Sequence, residues 1–186
     1  MFTFTRAQLE DIDGVMQLQE RNLLRNVPLE RQSSGFVTTP FSDQQLNSVI
    51  QENGLFVVKQ GENIVGYAFA ASWDYFSQWA IFPYMVSRFP NLTFDNQVLT
   101  KEKTFQYGPI CIDEMLRGTG LFQQLFETMR VGMSAAYPVG VTFINKINHR
   151  SFKAHTQKLK MTVVDEFSFN GNNYYGLAFN TNKSIV

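Results

Sequence analysis

The feature that most constrains the fold is a strand that runs through a glycine-bearing turn into an amphipathic helix, beyond the middle of the chain. Residues 105–112 are largely apolar and predict a buried strand. Residues 118–136 place Leu121, Leu125 and Met129 on one stripe at helical spacing. Because the apolar stripe of such a helix has to be covered by another element, the pair predicts a sheet with helices packed on it.

The remaining elements complete one mixed sheet. The chain opens with an alternating strand pattern, and a helical pattern follows from Leu9. Ser42 is placed to cap a second helix, and residues 75–88 predict an aromatic helix bent at Pro83. Residues 89–104 have an irregular pattern. Further strands are predicted at residues 55–59, 64–72, 139–144, 162–169 and 174–179, and a further helix at 151–159.

Length and composition indicate one domain without a strong global field. The 186 residues, 44% of them hydrophobic, suffice for one substantial core, so we expect a single domain over residues 1–186. Sixteen basic and sixteen acidic side chains balance, which argues against a nucleic-acid partner or an anionic membrane. The single cysteine, Cys111, excludes an internal disulfide and favours a cytoplasmic location. The longest apolar run, residues 79–86, is too short to cross a bilayer.

The turn between the buried strand and the helix is suited to binding a pyrophosphate. Helix geometry leaves the first N–H groups without internal partners at the positive end of the dipole, where an anion can accept several hydrogen bonds. Gly118 and Gly120 permit a close backbone approach, and Arg117 adds a positive charge. A turn that binds nothing is the alternative for this segment alone. A dinucleotide-binding turn is excluded because Gly118-Thr119-Gly120 is followed by Leu121, Phe122 and Gln123, without the third glycine that such a turn needs.

The segment Arg117-Gly118-Thr119-Gly120-Leu121-Phe122 resembles the phosphate-binding motif of the GNAT superfamily of N-acetyltransferases, Gln/Arg-x-x-Gly-x-Gly/Ala. It matches at Arg117 and Gly120 and departs at Phe122, where the family has a small residue. The stretch from Asn148 to Ser151 resembles the start of the family's later helix, although Lys160 replaces the glycine that usually follows it. The resemblance implies an α/β (α+β) fold with a mixed, mostly antiparallel central sheet and helices on both faces. It also implies acetyl-CoA as the co-substrate.

The resemblance carries specific binding roles onto this sequence. The backbone of the buried strand's end is expected to bind the pantetheine arm, and the glycine turn the pyrophosphate. Asn148 is expected either to contact the coenzyme or simply to cap a helix. The expected coenzyme-binding residues are therefore Ile110, Cys111, Ile112, Arg117, Gly118, Thr119, Gly120, Leu121, Phe122 and Asn148.

Candidate catalytic residues are fewer. His155 lies seven residues after Asn148, where the family often has a tyrosine that protonates the leaving thiolate; a packed structural histidine is the alternative. Tyr107 and Asp113 bracket the buried strand as candidates for the general base, with a solvated Asp113 as the alternative. Cys111 is interpreted as a buried apolar residue rather than a nucleophile. Two histidines and one cysteine form no recognisable metal site.

The predicted function is acetyl transfer from acetyl-CoA to a primary amine by direct attack. The acceptor is expected to be a small molecule or a peptide, and residues 75–104, where the resemblance is weak, are expected to contribute to its site. A non-catalytic acyl-CoA-binding sensor or scaffold is the main alternative, and a structural protein is a third. A homodimer is left open as the assembly.

Overall fold

The computed structural model of the chain describes residues 1–32 and 35–186. Its strands are β1 Phe2–Arg6, β2 Leu55–Gln60, β3 Asn63–Ala71, β4 Thr93–Phe94, β5 Gln97–Val98, β6 Thr104–Ile112, β7 Val139–Asn145, β8 Thr162–Phe169 and β9 Asn172–Asn180. Its helices are α1 Ile12–Asn22, α2 Asp43–Gln51, α3 Trp73–Phe76, α4 Ile81–Arg88, α5 Leu121–Ser134 and α6 His149–Lys153, and a π-helical turn, Ala154–Lys158, continues α6.

Seven of the strands form one mixed sheet in the order β1-β2-β3-β6-β7-β9-β8, and β4 and β5 form a separate short hairpin. The pairs β1/β2, β2/β3, β7/β9 and β8/β9 are antiparallel, whereas β6 and β7 are parallel. The prediction of a mixed, mostly antiparallel sheet with helices is therefore confirmed. The described residues form two compact units, each built from two stretches of chain. That residues 1–186 act as a single domain stays a prediction.

The first unit comprises Met1–Ala70 and Gly108–Met129. Its core includes the fully buried side chains of Leu18, Leu46 and Phe69, each of which contributes roughly 1.5–3 kcal/mol by leaving water. The start of α2 is fixed by local chemistry, since the Ser42 hydroxyl accepts a hydrogen bond from the backbone N–H of the third helical residue at 3.2 Å. The cap predicted at Ser42 is therefore confirmed.

The second unit comprises Ala71–Tyr107 and Arg130–Val186. Its core is aromatic, and the buried indole of Trp73 donates a hydrogen bond to the Thr104 hydroxyl at 2.9 Å. Arg88 and Asp165 form a bidentate ion pair, with N–O distances of 2.6 and 2.7 Å, that ties α4 to β8.

The aromatic stretch predicted as one helix bent at Pro83 is instead two helices. The chain breaks at residues 77–80, between α3 and α4. Pro83 then lies in the first turn of α4, where its missing N–H has no intrahelical partner to lose. Residues 89–104, predicted to be irregular, contain the β4/β5 hairpin. The prediction of a single bent helix was wrong because a proline fits the first turn of a helix as well as it fits a bend.

Candidate functional site

The turn that follows β6 belongs to the first unit and is built from local hydrogen bonds. The backbone N–H of Asp113 donates to the carbonyl of Val65 at 2.9 Å, which holds the end of β6 against β3. The Asp113 carboxylate accepts from the N–H of Met115 at 3.1 Å and caps a short 3-10 helix, Glu114–Leu116. Asp113 also pairs with Arg21 at 3.3 Å. These contacts give its carboxylate a structural role.

Two glycines with positive φ lie between this short helix and α5. The φ angle is 86° at Gly118 and 90° at Gly120, a region that L side chains rarely adopt. The predicted helix consequently begins at Leu121 rather than at Gly118. A conformational requirement therefore explains why glycine occupies both positions.

The space outside these glycines is open. A Cβ atom added at Gly118 would meet no heavy atom within 4 Å, and one added at Gly120 would approach only the amide nitrogen of Gln124, at 3.7 Å. The residues just after them start α5, whose first N–H groups have no carbonyl partner within the helix. Open space, a close backbone and the positive end of a helix dipole together fit an anionic ligand.

Arg117 fastens the turn to the end of α1. Its Nε donates to the carbonyl of Ile112 at 3.0 Å, and one terminal nitrogen donates to Oδ1 of Asn22 at 2.7 Å. Asn22 is buried, and its own amide donates to the carbonyl of Leu18 at 2.8 Å. The predicted charge of Arg117 is present in the turn, and its described hydrogen bonds make it a positioning group for the turn backbone. The sequence carries no signal for the Asn22 contact.

The strand end before the turn combines a half-exposed Ile110 with buried Cys111 and Ile112. Burial raises the pKa of the Cys111 thiol to about 12, so the thiol is protonated at neutral pH. A protonated, buried thiol is a poor nucleophile, in agreement with the apolar interpretation of Cys111. A Cβ added at Gly66 would lie 2.8 Å from the Ile112 side chain and 3.3 Å from the Cys111 carbonyl, so glycine lets β3 lie close to this strand.

The two predicted catalytic side chains lie together in the second unit. The rings of Tyr107 and His155 have centroids 5.7 Å apart, and both side chains are buried. The parallel ladder between β6 and β7 has its last pair at Gln106 and Val141, so Tyr107 follows directly after it. The sequence identifies both residues as candidates but carries no signal for their contact.

His155 is held as a neutral imidazole. Its Nδ1 lies 2.8 Å from the carbonyl of Ser151, a distance that requires this nitrogen to carry the proton it donates. Burial lowers the pKa of His155 from 6.5 to about 4, although the Ser151 hydrogen bond opposes that shift. Burial also raises the pKa of Tyr107 well above its ordinary value, so the phenol keeps its proton. Both side chains are therefore uncharged at neutral pH.

Asn148 begins α6, where its side-chain oxygen accepts a hydrogen bond from the N–H of Ser151 at 3.1 Å. The helix predicted at residues 151–159 is therefore shorter and starts earlier, and it changes into the π-helical turn that carries His155. Helical spacing from Ser151 to His155 was the available signal for their hydrogen bond. The coenzyme-binding role of Asn148 stays a prediction.

Two features are absent from the described residues. No group of three or more His, Cys, Asp or Glu side chains is arranged to hold a metal ion. Within residues 1–32 and 35–186, no helix has the length and apolar character needed to span a membrane.

Known proteins resemble this chain in fold but not in sequence. No protein-family model matches the sequence, and no curated protein matches it either. Solved structures do match. An N-acetyltransferase from Staphylococcus aureus Mu50 is 16% identical with a TM-score of 0.66, over 97% of this chain and 99% of that one. A protein described as an acetyltransferase from Salmonella typhimurium, solved with its cofactor acetyl-CoA, is 13% identical with a TM-score of 0.65, over 98% and 95%.

A third solved structure names the superfamily. It is an acetyltransferase of the GNAT family from Streptococcus pneumoniae, 12% identical with a TM-score of 0.62, and the alignment covers 97% of this chain and 99% of that one. Sequence identities this low establish a shared fold only, so the activity has to be inferred from the site. The chain therefore has the fold of the GNAT acetyltransferases.

Proposed function

We propose that this protein is an N-acetyltransferase that uses acetyl-CoA to acetylate a primary amine. The observation that carries the proposal is the open, positive-φ glycine turn directly before α5 in a chain of this fold. The coenzyme supplies the acetyl group as a thioester. The occurrence of acetyl-CoA in the Salmonella typhimurium structure supports the choice of coenzyme.

The residues of the first unit fit the coenzyme's anionic part. The backbone from Gly118 through Thr119, Gly120 and Leu121 to Phe122 is assigned to the pyrophosphate, because it joins an open turn to a helix N-terminus. Arg117 holds that backbone in place through Ile112 and Asn22. The backbone of Ile110, Cys111 and Ile112 is assigned to the pantetheine arm.

The residues of the second unit restrict the acid–base chemistry. His155 is neutral at neutral pH, and its Nδ1 proton is shared with the Ser151 carbonyl. For His155 to protonate a leaving thiolate as an imidazolium, the bound state therefore has to raise the pKa of His155 again. Tyr107 carries a proton at neutral pH but is a weaker acid than an ordinary tyrosine. Catalytic roles for His155 and Tyr107 stay proposals.

A non-catalytic acyl-CoA-binding protein is the second candidate. The specific observation in its favour is that both predicted catalytic side chains are buried and uncharged. In that case the coenzyme would bind the turn, and no thiol would be released with any amine.

Two measurements test the function in sequence. Coenzyme A at about 100 times its dissociation constant stabilises the native state by about 2.7 kcal/mol, and we expect the resulting rise in melting temperature with coenzyme A and not with NAD. Release of free thiol from acetyl-CoA is then measured across a panel of primary amines. Thiol release with at least one amine supports the enzyme, and binding without release supports the sensor. A chain that binds no coenzyme A has neither function.

A further inference from the structure

A polar pocket opens in the first unit beside the glycine turn. Its lining includes Arg21 and Asn22 from the end of α1, Arg31 from the connection to α2, and Glu114 and Arg117 from the turn. The pocket has a volume of about 70 Å³, well below that of a site for a whole drug-sized molecule but enough for a single anionic group. It therefore offers room for a small ligand or for one end of a larger one.

The pocket is rich in guanidinium groups. Arg21 pairs with Asp113 at 3.3 Å, and Arg31 pairs with Glu114 at 3.1 Å. Arg117 donates to the carbonyl of Ile112 and to the side-chain oxygen of Asn22. The charged side chains that line the pocket are those of three arginines and one glutamate, Glu114, so the formal charge of the lining is positive. A positive excess in a protein of zero formal net charge favours an anionic ligand at this place.

Arg21 and Arg31 retain the capacity to bind such a ligand. Their side chains are 58% and 55% exposed, and each ion pair engages one terminal nitrogen of a group with five N–H donors. Because both arginine side chains are largely exposed, their ion pairs stabilise the protein little, and sharing the arginines with an incoming oxyanion costs little. Planar guanidiniums suit carboxylate and phosphate oxygens in particular.

We propose that this pocket binds an oxyanion, and that the anion is a carboxylate carried by the amine acceptor. The second part rests on the proposed acetyltransferase function. The coenzyme's pyrophosphate is already assigned to the turn backbone, whereas Arg21 and Arg31 come from α1 and the segment after it. The acceptor class is therefore an amine with a carboxylate, such as a free amino acid.

The oxyanion part is tested without any catalytic turnover. Inorganic phosphate is titrated by calorimetry into the wild type and into Arg21→Gln and Arg31→Gln, with Arg25→Gln as the matched control. Arg25 is a 64% exposed arginine that pairs with Glu20 and does not line the pocket. We expect phosphate affinity to fall about fivefold or more in the two pocket variants and to stay unchanged in the control. Equal phosphate binding by all four proteins overturns the oxyanion pocket.

The acceptor part is tested with matched amines. Thiol release from acetyl-CoA is compared for amino acids and for the corresponding amino acid amides, which lack the carboxylate. We expect the wild type and Arg25→Gln to prefer the acids by about tenfold in kcat/KM, and Arg31→Gln to lose that preference through a higher KM. An equal preference for acids and amides in the wild type overturns the acceptor assignment.

A third arm identifies the source of the anion. Affinities for coenzyme A and for coenzyme A without its 3′-phosphate are measured in the same variants. If Arg31→Gln lowers the affinity for coenzyme A but not for coenzyme A without its 3′-phosphate, the pocket holds a coenzyme phosphate and the acceptor assignment is wrong. If no coenzyme binds and no amine reacts, the proposed function fails and takes the acceptor assignment with it, while the phosphate titration still decides the pocket.

Discussion

The glycine turn of the first unit and the Tyr107–His155 pair of the second unit differ in their exposure to water. The turn is open and polar, and it is held by Arg117 at φ angles that only glycine adopts readily. Tyr107 and His155 are buried, and burial keeps both uncharged. Ligand binding is therefore best supported at the turn, whereas the chemistry assigned to His155 depends on a buried group changing its protonation state.

Acid should destabilise the protein through His155. Its pKa is about 4 in the folded chain and about 6.5 when unfolded, so below pH 6.5 the unfolded state binds a proton that the folded state does not. The free energy of unfolding should fall by about 3 kcal/mol between pH 6.5 and pH 4 through this group, and no further below pH 4. Urea denaturation at a series of pH values measures it.

Carboxylates also titrate in this range, so the comparison of variants isolates His155. His155→Gln should be less stable at neutral pH and show a shallower decline in acid. His149→Gln, at the exposed second histidine, should follow the wild-type curve. A wild-type decline that persists unchanged in His155→Gln would show that His155 is not held neutral, which removes the contrast between the two regions.

Gly120→Val should weaken coenzyme A binding by about 100-fold. The valine opposes a φ of 90° and fills the open space in front of the turn backbone. Gly171→Val is the matched control, since Gly171 has a φ of 77° and equally open surroundings in the β8/β9 turn. It should incur a similar backbone cost and bind coenzyme A like the wild type. Calorimetry at fixed salt measures both, and wild-type affinity in a folded Gly120→Val would refute the turn as the pyrophosphate site.

Arg117→Ala should weaken coenzyme A binding less than Gly120→Val, by about tenfold. The substitution leaves the turn backbone open but removes the hydrogen bonds to Ile112 and Asn22 that position it. It should also lower the free energy of unfolding by about 1–2 kcal/mol, because the buried Asn22 oxygen loses its donor. A larger loss of affinity than in Gly120→Val would mean that Arg117 itself binds the phosphates.

The features that the sequence could predict are those that depend on local contacts. The β6-turn-α5 segment and the Ser42 cap depend on residues that are neighbours in the sequence. Apolar spacing, glycines and a capping serine were therefore enough to predict them. The break between α3 and α4 was misplaced at Pro83 because a proline fits a first helical turn as well as a bend. The Arg117–Asn22 contact and the lowered pKa of His155 depend on residues brought together by folding. No local pattern encodes them.

Cys111→Ala should have the smallest effect on activity. Cys111 lies in the strand assigned to the pantetheine arm, and that assignment uses its backbone, which alanine retains. Its thiol is buried and has a pKa of about 12, so almost no thiolate is present at neutral pH to act as a nucleophile. We expect kcat and KM for acetyl-CoA to stay within about twofold of the wild type, with a loss of about 1 kcal/mol in stability from the smaller side chain.

The competing possibility for Cys111 is a covalent acetyl-enzyme, and the variant separates the two. Direct transfer to the amine needs no thiol and leaves the alanine variant active, whereas a covalent route loses turnover almost completely. Mass spectrometry of the wild type with acetyl-CoA in the absence of amine gives an independent measure, because only the covalent route adds an acetyl group to Cys111. An inactive but folded Cys111→Ala together with an acetylated Cys111 would show that Cys111 is a nucleophile and that direct transfer to the amine is wrong.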